Sequence, residues 1–197
     1  MIEFDNLSTS TPYKKFKKFY KKAEEYNQKN IEAACLSTIA LDSKPRSRFI
    51  NVKYIIDNKF IFFSNFKSNK AKEIKKNNQI SLNFFWSSIN SQVRIEGKIS
   101  KISDNFANEH WKQRATKKNA LAISSRQSQK IKSYDQILIN YNHVLKNYDL
   151  SIRPDYWGGY SIEPEFFEFW EGDGSRINIR KEYRLFNNMW DNSTLEP

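Results

Sequence analysis

The chain has 197 residues, with 33 Lys+Arg against 22 Asp+Glu, a formal net charge of +11, and 15% aromatic residues. That length suits one domain with a real core, and no apolar run reaches the roughly 18–20 residues that a helical membrane span needs. A single cysteine, Cys35, excludes an intramolecular disulfide framework, and two histidines, His110 and His143, argue against a histidine metal centre.

The stretch Met1 to Phe16 lacks the basic-then-apolar pattern of a signal peptide, so a cytoplasmic chain is expected. Thr11-Pro12 reads as a helix start, with Thr11 as cap and Pro12 at the first helical position. Tyr13, Phe16, Phe19, Tyr20, Ala23 and Tyr26 then recur at helical spacing against a lysine-rich face. Residues 1–30 are therefore expected to be a helical segment packed on the rest of one domain, 1–197. Ala33–Leu41, Ser47–Ile56 and Lys59–Ser64 have strand character, with Asp57-Asn58 as a hairpin turn. Ser68–Lys76 reads as a short helix. Gln79–Trp86 and Gln92–Ile102 read as strands, the second alternating Val93, Ile95, Gly97 and Ile99 with polar residues. Ser103 and Asp104 cap a helix carrying Phe106, His110 and Arg114. If that helix continues, Lys118 joins His110 and Arg114 on one face; Thr116-Lys117 is where it could instead end. Tyr134–Tyr148 is an amphipathic helix. Tyr156–Trp170 and Arg176–Phe186 read as long strands joined by a tight hairpin at Glu171-Gly172-Asp173-Gly174. Six or seven strands with helices between them fit an α+β chain built on an antiparallel barrel.

Lysine supplies 24 of the 33 basic residues, so most of the charge reads as solvated surface rather than as a nucleic-acid face. No phosphate-binding G-x-x-x-x-G-K-[ST] loop, G-x-G-x-x-G turn or G-x-S-x-G elbow is present. Cys35, among Ala33, Ala34, Leu36 and Ile39, reads as a core thiol. Phe84-Phe85-Trp86 and Phe166-Phe167 read as core strand residues. Arg48 and Lys53 differ by an odd number, so a regular strand points them to opposite faces; a joint role needs a bulge or a ligand lying along the strand end.

Several polar segments occur in a telling order. They are Arg48-Phe49-Ile50-Asn51-Val52-Lys53, Phe63-Ser64-Asn65, Ser68-Asn69-Lys70-Ala71, Gln92 opening a long strand, and Gln127-Ser128. Tyr156-Trp157-Gly158-Gly159-Tyr160, Glu168-Phe169-Trp170, Arg176-Ile177-Asn178-Ile179-Arg180 and Leu195-Glu196-Pro197 follow. From about Ala33 to Pro197 this series resembles the pyridoxamine 5′-phosphate oxidase family, flavin enzymes built as homodimeric split β-barrels.

The resemblance implies FMN as cofactor and a flavin site shared between two copies. Its phosphate would be held by Arg48 and Lys70, with Ser64, Gln127 and Ser128 as neutral donors and the segments Arg48–Lys53, Phe63-Ser64 and Asn69-Lys70 around it. Lys53 and Gln92 would approach the flavin ring, with Trp170 and Arg180 coming from the other chain. Lys53, His110, Arg114, Lys118, Arg176 and Asn178 would contact substrate, and Arg176 and Lys53 would act on it. The implied reaction oxidises pyridoxamine or pyridoxine 5′-phosphate to pyridoxal 5′-phosphate by hydride transfer to the flavin, with oxygen as acceptor and hydrogen peroxide as product. Four residues depart from the family pattern. Asn69 stands for an arginine, His110 for a tyrosine, Lys118 for a serine and Asn178 for a histidine. The first helix also starts too early to leave room for the family's basic N-terminal arm. These departures keep two alternatives open: an oxidase of the same fold with another substrate, of the phenazine-biosynthesis type, or a flavin-binding protein without oxidase activity. Exchange of tyrosine and serine for His110 and Lys118 is expected to supply two cations to a substrate phosphate, with the phosphate raising the His110 pKa.

Overall fold

Alternating side chains define the barrel wall. The computed structural model describes residues 1–197. Its elements are β1 (Glu3–Asp5), α1 (Thr11–Glu25), β2 (Ala33–Ile39), β3 (Pro45–Ile56), β4 (Lys59–Asn65), α2 (Asn69–Lys76), β5 (Gln79–Trp86), β6 (Ser91–Lys101), α3 (Asp104–Gln113), α4 (Thr116–Ser124), α5 (Tyr134–Asn147), β7 (Trp157–Glu171), β8 (Ile179–Phe186) and β9 (Met189–Leu195). Strand β2 pairs with β3 and β5, β5 with β6, β6 with β7, β7 with β4 and β4 with β3, all antiparallel. The circuit closes a six-stranded barrel and leaves none of those strands as an edge. The first part of β7 pairs with β4 and its last part with β8, so one long strand carries the β8–β9 hairpin beyond the barrel. No helix is long and apolar enough to cross a membrane.

Inside, Leu36, Val52, Phe60, Phe62, Leu82, Phe84, Val93, Ile95 and Phe167 are fully buried. Helix α1 lays its apolar face on this core. Phe16 meets Phe60, Phe84 and Trp86 edge-on at centroid separations of 5.0, 5.2 and 5.6 Å, the geometry that ring quadrupoles favour. One glycine is sterically required. At Gly97 the β6–β7 register shifts, and an added Cβ would overlap the Glu163 carbonyl oxygen.

Some boundaries differ from the sequence reading. Ser10 is the N-cap of α1, which places Pro12 at the second position of the first turn. The connection expected as a tight hairpin at 171–174 is longer. Strand β8 starts only at Ile179, because Arg176 adopts a left-handed backbone (φ 64°) and Asp173 takes hydrogen bonds from Ser175. Cys35 is half-buried on the outer face of β2, since Ala34 and Leu36 occupy the inward positions. Phe85 is exposed for the same reason, between inward Phe84 and Trp86. The stripe His110–Arg114–Lys118 does not lie on one helix. Helix α3 stops at Arg114, whose ψ of 145° is extended, and α4 begins at Thr116.

Phe16→Ala should cost about 3–5 kcal/mol of folding stability, since it removes a fully buried ring from the centre of the α1–barrel contact. Urea unfolding monitored by tryptophan fluorescence measures this; a loss under about 1 kcal/mol would show that α1 is peripheral to the core.

Candidate active site

An open cavity of about 1190 Å³ is lined by β3, β4, the start of α2, the α3–α4 junction and the loop after α4. Six Arg and Lys side chains reach it against two Glu. Such an excess of cations at a partly desolvated surface is a site for anions.

At one end Arg48 and Lys70 converge. The Arg48 guanidinium bonds Glu73 at 2.7 Å and reaches Thr38, which itself donates to Glu73 at 2.6 Å. Lys70 donates to Ser64 at 2.9 Å, Ser68 at 3.3 Å and Gln127 at 3.2 Å. Burial lowers the Lys70 pKa to about 8; Arg48 adds to the shift and Glu73 opposes it. Helix α2 starts here, and Ser68 caps it without a side-chain bond, so first-turn N–H groups face the same end. Ser128 lies across from that turn in a left-handed conformation (φ 71°) and accepts from the Asn69 N–H.

At the other end stand Lys53, His110, Arg114 and Lys118. His110 stacks on Phe63 at 3.7 Å and 8°, and its Nδ1 lies 2.8 Å from the Tyr54 hydroxyl. The Arg114 guanidinium covers the Trp157 ring at 4.3 Å and donates to the Lys118 carbonyl at 3.0 Å. Burial lowers its pKa to about 10, so it stays cationic at neutral pH. Lys53 is 3.5 Å from Glu32. The break between α3 and α4 therefore still brings Arg114 and Lys118 to one wall.

His110 does not match the expected cation. Burial, then the nearby charges of Arg114, Lys53 and Lys118, lower its pKa to about 4. The ring is neutral at physiological pH. The face question for Arg48 and Lys53 also has an answer: both line this cavity, which follows β3 along its length. A bulge between Val52 and Tyr54 then places Tyr54 on the same wall, and lets Val52 and Ile55 both point into the core.

Of the other residues singled out in the sequence, Phe49, Ile50, Asn51, Phe63, Ser64, Asn69, Gln127 and Ser128 line the cavity. Val52 does not; its side chain is fully buried in the barrel. Gln92, Trp170 and Arg180 also lie elsewhere. They form one cross-strand row, Gln92 opposite Trp170 and Trp170 opposite Arg180. Glu168, almost fully buried, holds Arg180 at 2.8 Å and Arg94 at 2.7 Å. Arg176 and Asn178 sit in the β7–β8 connection, where the Asn178 side chain accepts from the Asp173 N–H.

Tyr54, Glu73 and Thr38 escaped the sequence reading. Glu73 carried a signal: it follows Lys70 by three residues, so both fall on the buried face of α2. Tyr54 carried none, because the bulge breaks the strand period.

A closed barrel with a cationic cavity on its wall and a β-hairpin extension defines a split-barrel protein with an anion site. The sequence model described as "Pyridoxamine 5'-phosphate oxidase" matches residues 20–148, and that of the "Pyridoxine 5'-phosphate oxidase C-terminal dimerisation region" matches 157–197. The chain belongs to the pyridoxamine 5′-phosphate oxidase family. It is 32% identical to a pyridoxine/pyridoxamine 5′-phosphate oxidase of Leptospira biflexa and 34% identical to one of Actinobacillus succinogenes, each over 94% of this chain and 89% of the relative. Its fold matches PhzG of Burkholderia lata, solved with tetrahydrophenazine-1-carboxylic acid, with TM-score 0.88 and 25% identity over 95% of this chain and 93% of that one. It also matches an FMN-binding protein of Nostoc punctiforme with TM-score 0.80 and 14% identity, over 96% and 99% of the two chains.

The His110 ring should titrate with a midpoint near 4 in NMR spectra of the unliganded protein. A midpoint above about 6, close to the unperturbed value, would mean that the ring is not buried beside these cations.

Proposed function

We propose that the protein is an FMN-dependent oxidase that converts pyridoxine or pyridoxamine 5′-phosphate to pyridoxal 5′-phosphate, with oxygen as acceptor and hydrogen peroxide as product. The single observation that carries this reading is the pair of cationic clusters at the two ends of one cavity, matching two phosphate-bearing ligands. Belonging to the family and the names of the relatives support the chemistry.

The residues present suit FMN. Arg48, Lys70, Ser64, Gln127, Ser128 and the first turn of α2 would hold its phosphate, because a near-dianionic group is best met by charged donors and helix N–H groups. Glu73 and Thr38 pre-orient Arg48, so little side-chain freedom is lost on binding. When bound, FMN supplies the two-electron oxidation and the route to oxygen. Lys53, within the second cluster, would lie by the ring system. Arg114 and Lys118 would take the substrate phosphate, with His110 as a neutral donor. Holding both ligands in one cavity sets the reacting atoms close together, which is the chain's main contribution to rate.

The cavity alone is incomplete. Trp170 and Arg180 are assigned to flavin contact from a second copy, with Arg176 and Asn178 reaching its substrate from the same hairpin connection. The cross-strand row supports moving Gln92, expected beside Lys53, into that group, because it pairs directly with Trp170. Phe49 on the cavity wall and Phe85, Ile177 and Ile179 around the row are exposed apolar side chains, as an interface between copies requires. The dimerisation region named in the family comparison spans this hairpin. We therefore propose a homodimer of one-domain chains, residues 1–197, working in the cytoplasm, with no nucleic-acid partner.

The PhzG match supports a second reading, oxidation of a reduced aromatic carboxylate. The 32–34% identity to the vitamin B6 oxidases and the two-ended charge favour the first. Turnover decides: one hydrogen peroxide formed per pyridoxal 5′-phosphate from the phosphorylated vitamer supports it, while FMN binding with no turnover of any vitamer would refute it.

Arg48→Ala should weaken FMN roughly tenfold to a hundredfold, and Lys67→Ala should leave it nearly unchanged, since Lys67 instead covers the Tyr156 ring. Wild-type affinity should also fall as pH rises through about 8, where free Lys70 loses its proton. Fluorescence titration of FMN measures both; equal affinities for the two variants would remove Arg48 from the site. Arg114→Ala should weaken pyridoxal 5′-phosphate at least about tenfold and leave unphosphorylated pyridoxal little changed, as read from the flavin spectrum. Similar binding of the two ligands to wild type would place the substrate phosphate elsewhere.

A further inference from the structure

His110 and Tyr54 meet because of one strand irregularity and one helix. The β3 bulge turns Tyr54 onto the cavity wall, and α3 carries His110 across to it. The Tyr54 hydroxyl lies 2.8 Å from His110 Nδ1. The rings around them fix both planes. Phe63 stacks on the imidazole at 3.7 Å, and Phe106 meets Tyr54 edge-on at 5.4 Å. Nδ1 is thus tied to the chain, and Nε2 is the nitrogen left for a ligand.

A phenol is a better donor than acceptor, and the bare nitrogen of a neutral imidazole is a strong acceptor. The bond therefore runs from the Tyr54 O–H to Nδ1, and the ring proton sits on Nε2. The charged groups around the pair act in the same sense. Lys53 from β3, Arg114 at the end of α3 and Lys118 from α4 oppose a second proton on the ring. Burial, and Glu3 across the β1–β3 pairing, keep the Tyr54 hydroxyl protonated.

We propose that Tyr54 is a positioning residue that holds His110 as the Nε2–H tautomer, so that a neutral N–H donor faces the phosphate of the substrate. This rests on the substrate reading given above. The opposite tautomer would turn a lone pair toward phosphate oxygens, losing one hydrogen bond and adding repulsion. Three cations already offset the phosphate charge at this wall; the imidazole adds direction without adding charge. The family tyrosine expected at position 110 would offer one hydroxyl donor. In this chain two side chains do that work.

The test uses FMN-loaded protein with nitrogen-15-labelled histidine. The chain has two histidines, and His143→Gln assigns their signals by subtraction. Wild type should show a protonated Nε2 and an unprotonated Nδ1, and the Nε2 signal should move with pyridoxal 5′-phosphate but not with pyridoxal. Tyr54→Phe should populate both tautomers and raise KM for pyridoxine 5′-phosphate about threefold to tenfold, with kcat little changed. A wild-type ring protonated at Nδ1, or a Tyr54→Phe enzyme with unchanged KM, would overturn the proposal. Should Tyr54→Phe fail to fold, the wild-type signals with the two ligands still decide it. A wild type that shows the Nε2–H tautomer but oxidises no vitamer would defeat the substrate reading and leave the Tyr54–His110 bond standing.

Discussion

Arg48 and Lys70 are brought together at one end of the cavity with a single carboxylate, Glu73, between them, and much of the architecture serves that arrangement. Taking cations out of water is costly unless each is paired and hydrogen-bonded. Here the pairing is partial. Arg48 has Glu73 and Thr38, while Lys70 has three neutral partners and a lowered pKa. An anion of two charges relieves both at once. The lowered Lys70 pKa and the attraction of this end for an anion thus have the same origin. The barrel makes it possible: Thr38 comes from β2, Arg48 from β3, Ser64 from β4, and Glu73 and Lys70 from α2.

The other end of the cavity works by stacking rather than by pairing. Phe63, His110 and Trp157 lie nearly parallel, within 9° of one another, and Arg114 covers the outer face of Trp157. Stacking holds Arg114 without a carboxylate, so its charge remains for a ligand. Lys118 adds charge from the next helix. The helix break at Arg114-Ala115 separates these two side chains onto different helices and leaves both on the cavity wall.

The barrel was legible in the sequence because each strand has one face in the core. Val93, Ile95, Gly97 and Ile99 repeat with period two, and the strands they define were read within a residue or two of their bounds. The cationic residues were legible through a series of short segments in a fixed order. What stayed hidden depends on local departures from periodicity. The bulge before Tyr54 shifts the strand phase without any Gly or Pro to mark it. The left-handed Arg176 lengthens a connection that its glycines made look tight. His110 was read as a cation because a sequence shows neighbours along the chain, whereas its charge is set by burial and by Lys53, Arg114 and Lys118 from separate elements. Strands β1 and β9 are short or largely exposed, and carry little apolar pattern to read.

The central claim is that one cavity holds two phosphates, one at Arg48 and Lys70 and the other at Arg114 and Lys118, with a second copy completing the site. A crystal structure of the protein with FMN and pyridoxal 5′-phosphate bound tests it most directly. The account predicts the FMN phosphate on Arg48, Lys70 and the first turn of α2, the pyridoxal phosphate group on Arg114, and Gln92, Trp170 and Arg180 of a second chain against the flavin. Phosphates bound at other residues, or a flavin site completed within one chain, would contradict it.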